Sequence, residues 1–144
     1  VYQVSPEIKE KMQELFYAGC ANDDETMAMI KKCKEEFDYV MDPHTAVAKA
    51  VYDGYAEATG DQTKTVIAST ASPFKFNQSV MIALKGYPAV AGKDEFALLD
   101  ELQAVSGMDI PASLAALKTK PRIFDLVCEK DQLQQIVSDF LKID

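Results

Sequence analysis

The sequence has no long apolar run. Its apolar stretches are a few residues each, far short of the roughly 20 that cross a bilayer, and the N-terminal VYQVSPEIKE has no basic region leading into an apolar one. Neither a membrane span nor a targeting leader is expected, and the cytoplasm is the expected compartment. Cysteine is scarce: Cys20, Cys33 and Cys128 are odd in number, widely spaced and without a CxxC pair, which suggests reduced, mostly buried thiols rather than a disulfide framework or a zinc site. Basic charge is in deficit, with 15 Lys and Arg against 23 Asp and Glu and a net charge of −8 at pH 7. That balance repels nucleic acid and anionic membranes at long range, but does not stop local groups from holding a small anion. The six glycines stand singly at 19, 54, 60, 86, 92 and 107, so no glycine-rich phosphate cradle can be built from them.

What is present suffices for a core. With 144 residues, 48% hydrophobic and 26% charged, the chain fits one globular domain over residues 1–144, without repeats, low-complexity tracts or linkers. It begins at Val1 rather than methionine, which suits a processed product or a piece of a longer protein.

Three helix starts share one device, a small polar acceptor followed by proline: Ser5-Pro6, Asp42-Pro43 and Ser72-Pro73. The spacing predicts a first helix with Ile8, Met12, Leu15 and Phe16 on one face to about Tyr17, with a short strand around Phe16 to Cys20. A second helix follows the acidic Asn22-Asp23-Asp24-Glu25 and carries Met27, Ile30, Cys33 and Phe37. A third runs from Pro43 to about Ala58 on the stripe Val47, Ala50, Val51, Gly54 and Tyr55, with Gly60 just beyond.

Helices are further expected from Pro73 to Gly86, from Phe96 to Val105, from Pro111 to Lys118, and over the closing stripe Leu133, Ile136, Val137, Phe140 and Leu141, the last with Asp131 and Gln134 as a capping box. The stretch from Tyr87 to Lys93 reads as a loop. Thr65 to Ala68 is a β-branched run without a polar alternate, the form of a strand covered on both faces, and Ile123 to Cys128 reads as a last strand. The expected fold class is therefore α/β, with helices packed on a small, mostly parallel sheet.

In "IASTASPFKF", residues 67 to 76, the strand ends in Ser69, Thr70 and Ser72 before Pro73. Strand, tight turn and helix place residues at the carboxyl end of a parallel sheet, where ligands bind, and the N–H groups near Pro73 to Lys75 make a modest anion site. Alternatively, Ser72 caps the helix, Ser69 and Thr70 satisfy local backbone groups, and nothing binds. "DPHTAVA", residues 42 to 48, is open in the same way. Asp42 is an ordinary cap, and His44, the only histidine, is either packed, solvated or catalytic.

The two segments together, "DPHTAVA" and then "TASPFKF" after a strand, closely resemble the C-terminal part of threonine synthase, whose members show D/E-P-H-x-A-V-A followed by T-A-H-P-A-K-F. The resemblance extends loosely from "NDDETMAMIKK" to Leu84, about half of the chain. It implies a pyridoxal-phosphate enzyme of the fold type shared with tryptophan synthase β and the serine/threonine dehydratases, acting on O-phosphohomoserine and water to give threonine and phosphate. It also implies that Thr70 lies beside the pyridine nitrogen of the cofactor, where a neutral hydroxyl donates to an unprotonated ring nitrogen without holding a proton on it. Ser69, the neighbour, faces the other way by strand alternation.

Two departures bear on these roles. Ser72 replaces the family histidine and Phe74 the family alanine, while Lys75 matches the family lysine; Lys75 and Ser72 are the candidates to meet the substrate phosphate. The cofactor-bearing lysine motif and the phosphate cradle have no counterpart, and in the family both lie upstream. The chain is thus expected to be the C-terminal piece of such an enzyme, to work with the missing N-terminal part of the same protein, and to be inactive and without retained cofactor alone. A related lyase or dehydratase of the same fold type, or a non-catalytic acidic α/β interaction module, are the alternatives.

Overall fold

The computed structural model describes residues 3–143, and those residues are helical, without a strand or a sheet. The α/β expectation is thereby corrected: this is not helices on a parallel sheet. Among the described residues seven α-helices follow one another, α1 Pro6–Gln13, α2 Asp23–Phe37, α3 Pro43–Thr59, α4 Asn77–Lys85, α5 Glu95–Ser106, α6 Ala112–Ala115 and α7 Leu133–Leu141, with short 3-10 turns at Pro73–Phe76, Tyr87–Ala89, Ala116–Lys118 and Lys130–Gln132.

The starts of α1, α2 and α3 lie where Ser5, Asn22 and Asp42 predict them, whereas the α-helix expected from Pro73 begins only at Asn77. The Asn22 side chain accepts from Glu25 N at 2.9 Å while Asn22 N donates to Glu25 Oε2 at 2.8 Å, closing a capping box on α2. Asp42 caps α3 and Asp94 caps α5. The end of α3 is set by Gly60 at φ +71°, a left-handed conformation that side chains rarely adopt. At the C-terminus the capping box is Glu129 with Gln132, not Asp131 with Gln134, because a 3-10 turn precedes α7.

The core lies where α2 packs on α3 and α4, and α4 on α5. Ile30 of α2, Val80 and Met81 of α4, and Leu98 and Leu102 of α5 are the largest of its fully buried hydrophobic side chains, each no more than 2% exposed. Burying each contributes about 1.5–3 kcal/mol. By contrast, α1 and α7 bury nothing: the stripe predicted for α7 is present but uncovered, while α1 ends at Gln13, short of the expected Tyr17, and leaves Leu15 and Phe16 outside the helix.

The segments expected as strands have another fate. Residues 65–68 and 123–128 pair with no neighbour, and Val66 is 90% exposed, Ile123 75% and Val127 79%. A strand is a paired object whose N–H and C=O groups must be taken up by a second strand. Among the described residues no second strand offers them. Residues 16–20 likewise form no strand; Gly19 lets them approach α3, since a Cβ there would meet Val51 Cγ1 at 2.8 Å.

Candidate functional site

The start of α3 holds a buried polar cluster. Asp42 is fully buried, and its Oδ1 accepts from His44 N at 2.9 Å and Thr45 N at 3.3 Å, while its Oδ2 accepts the Thr45 hydroxyl. Burial alone pushes this carboxyl up, but the hydrogen bonds from the Thr45 hydroxyl and from the Thr45 and His44 backbone outweigh it and hold Asp42 below the ordinary carboxylate range. It is therefore ionised at neutral pH and can only accept.

That fixes the direction of the next link. Thr45 Oγ1 also lies 3.2 Å from Ser69 Oγ, across 24 residues of sequence. Thr45 has one hydroxyl proton, and it goes to Asp42; the Ser69 hydroxyl then donates to Thr45 Oγ1. The two motifs are thus joined in space by a directed chain, Ser69 to Thr45 to Asp42. A second contact joins them too: the rings of His44 and Phe76 stand 5.0 Å apart at a 56° tilt.

His44 itself is two-thirds exposed, with Nδ1 3.4 Å from Asp42 Oδ1. It edges a recess of about 490 Å³ shared with Tyr17, Val51, Tyr52 and Tyr55. Ser69 and Ile67 line a different recess, of about 280 Å³, against Cys33, Met41, Thr45 and Lys49. Ser69 and Thr70 are both exposed, but Ser69 is tied to Thr45 and lines this recess, whereas the Thr70 hydroxyl makes no hydrogen bond among the described residues.

Ser72 caps the turn that follows, its Oγ accepting from Phe74 N at 3.3 Å. That turn, Pro73–Phe76, is a 3-10 turn rather than the first turn of an α-helix, so the anion site expected from an α-helical N-terminus is not formed there. Lys75 projects into solvent and forms no ion pair among the described residues. Phe74 turns inward, 3% exposed, into the core cluster that includes Leu98 and Leu99.

Sequence reasoning brought Asp42, His44, Ser69, Thr70, Ser72 and Lys75 to notice; the structure joins Ser69 to Asp42 through Thr45, and His44 to Asp42 directly. Thr45 was missed. Its signal was a polar residue three positions after the cap and beside Ala46, on the face that α3 buries rather than on the predicted stripe.

No cluster of His, Cys, Asp and Glu able to hold a metal occurs among the described residues, and none of their helices is long and apolar enough to cross a membrane.

The family model "Threonine synthase, C-terminal" matches residues 45–137. Threonine synthase of Schizosaccharomyces pombe is 41% identical over 85 residues, which are 58% of this chain and 16% of that protein. Threonine synthase-like 1 of Homo sapiens is 37% identical over 84 residues, 58% of this chain and 11% of that protein, and its Macaca fascicularis counterpart is 36% identical over 84 residues. The matched segment is thus a small part of each relative's length. With the match running over well more than half of its residues, from Thr45 at the start of α3 into α7, the chain belongs to the threonine synthase C-terminal family.

Proposed function

We propose that this chain is the C-terminal part of a pyridoxal-phosphate-dependent threonine synthase, which converts O-phosphohomoserine and water into threonine and phosphate. The observation that carries this reading is the joining of the two motif segments at one place by the Thr45–Ser69 and His44–Phe76 contacts, within a chain whose family is that of threonine synthase.

The residues fit one edge of the cofactor only. The uncommitted hydroxyl of Thr70 suits a pyridine nitrogen, to which it donates without protonating it. Nothing among the described residues fits the cofactor phosphate, because the positive-φ glycines 60, 86, 92 and 107 are isolated and three of them simply end helices α3, α4 and α5. The cofactor, when bound, supplies the electron sink, and the protein positions and tunes it. This chain's share is to present Thr70 and to hold the substrate end with Lys75, whose ammonium is free to meet a phosphate, and with Ser72, whose hydroxyl proton is not used by its capping bond. Alone, without the cofactor-bearing lysine motif, the chain is inactive.

The test is to assay the full-length parent with O-phosphohomoserine, serine and threonine. Threonine and phosphate released in equal amounts from O-phosphohomoserine support the proposal; turnover of serine and threonine only would make the parent a dehydratase of the same fold type.

A further inference from the structure

We propose that Asp42, Thr45 and Ser69 are positioning residues whose directed hydrogen-bond chain fixes the outward presentation of Thr70. The inference rests on the proposed cofactor contact of Thr70, but its physical basis is independent of it. Residues 63–71 have no backbone partner in helix or sheet, and between them the Ser69–Thr45 bond is the one side-chain hydrogen bond to a helix among the described residues. A segment without a ladder is otherwise free to rotate about its own axis.

The chain removes that freedom from one side. Asp42 is immobile because it is buried and capped by two backbone N–H groups and a hydroxyl, and Thr45 is held on the first turn of α3. Ser69 is fastened to this fixed point and Ile67 lines the same recess, whereas Ala68 and Thr70 line none of it and are exposed, so the tether at Ser69 sets how Thr70 is presented outward. The carboxylate also consumes the proton of Thr45 and, through it, the proton of Ser69. Ser69 is then left without a proton for a ligand, and the free donor of the pair is Thr70.

Ser69→Ala is the cleanest probe, because it cuts the tether and leaves the Asp42–Thr45 bond in place; Ser69→Thr retains a hydroxyl and serves as rescue. In this chain, nuclear magnetic resonance relaxation should show backbone order parameters at residues 67–70 falling from about 0.85 to below about 0.6 in Ser69→Ala, with α2 to α5 unchanged and Ser69→Thr like the wild type. In the full-length parent, Ser69→Ala should raise the cofactor dissociation constant about fivefold, with recovery in Ser69→Thr. Unchanged order at 67–70, or unchanged cofactor retention while Thr70→Ala lowers it, overturns the positioning role and leaves the Thr70 contact standing. If Thr70→Ala also leaves retention unchanged, the Thr70 contact itself fails and the positioning role with it.

Discussion

Thr45 Oγ1 and Ser69 Oγ lie 3.2 Å apart, and this one contact ties the capped start of α3 to a segment that no backbone ladder holds. Because the Thr45 proton is committed to a buried carboxylate, the contact has a direction as well as a length.

Thr45→Val removes that hydroxyl at nearly constant volume. It leaves Asp42 buried with one donor fewer, so urea unfolding should show a loss of about 1–3 kcal/mol, and the Asp42 carboxyl should titrate higher than in the wild type. Thr45→Ser should recover most of both.

Acid should destabilise the fold through Asp42. Its folded pKa is lowered, so its contribution is complete above the unfolded value of about 3.9 and is lost as pH falls through the lower folded value. Asp61, held low by Thr63 and then Tyr55, acts with the same sign. Chemical denaturation of wild type and Asp42→Asn between pH 2 and 7 on the order of unit steps isolates the Asp42 part: the stability gap should be wide at neutral pH and should narrow in acid.

Adjacent residues of the 3-10 turn should behave oppositely. Phe74→Ala empties a core position and should cost about 3–5 kcal/mol. Lys75→Ala should leave stability within about 0.5 kcal/mol, and in the full-length parent it should raise KM for O-phosphohomoserine.

The same contrast separates the core from the last helix. Leu102→Ala in α5 should cost about 2–5 kcal/mol, whereas Phe140→Ala in α7, where the ring is 66% exposed, should cost less than about 0.5 kcal/mol. Equal losses would mean that α7 is packed against the core.

Helices were legible because caps and periodicity are local: Asn22, Asp42 and Gly60 lie within a turn of the ends they set. The strands were misread because a β-branched run such as Thr65 to Ala68 records only that the residues tolerate being covered. Pairing depends on a partner that the run cannot encode, and the described residues supply none. Among the candidate residues, Thr70 and His44 stood out through motif spacing, and Ser72 through capping chemistry, which its bond from Phe74 N bears out. Thr45 was not, since its role depends on Ser69 arriving 24 residues later, a tertiary contact with no local period.

The most direct test is the turnover of O-phosphohomoserine by the full-length parent and its Thr70→Ala variant, followed as threonine and phosphate together. The expected result is equal release of both products by the wild type and a fall in kcat of about 10²-fold in the variant, as for loss of one preorganised donor, with unchanged melting temperature. Absence of threonine from the wild type, or full activity in Thr70→Ala, would contradict it.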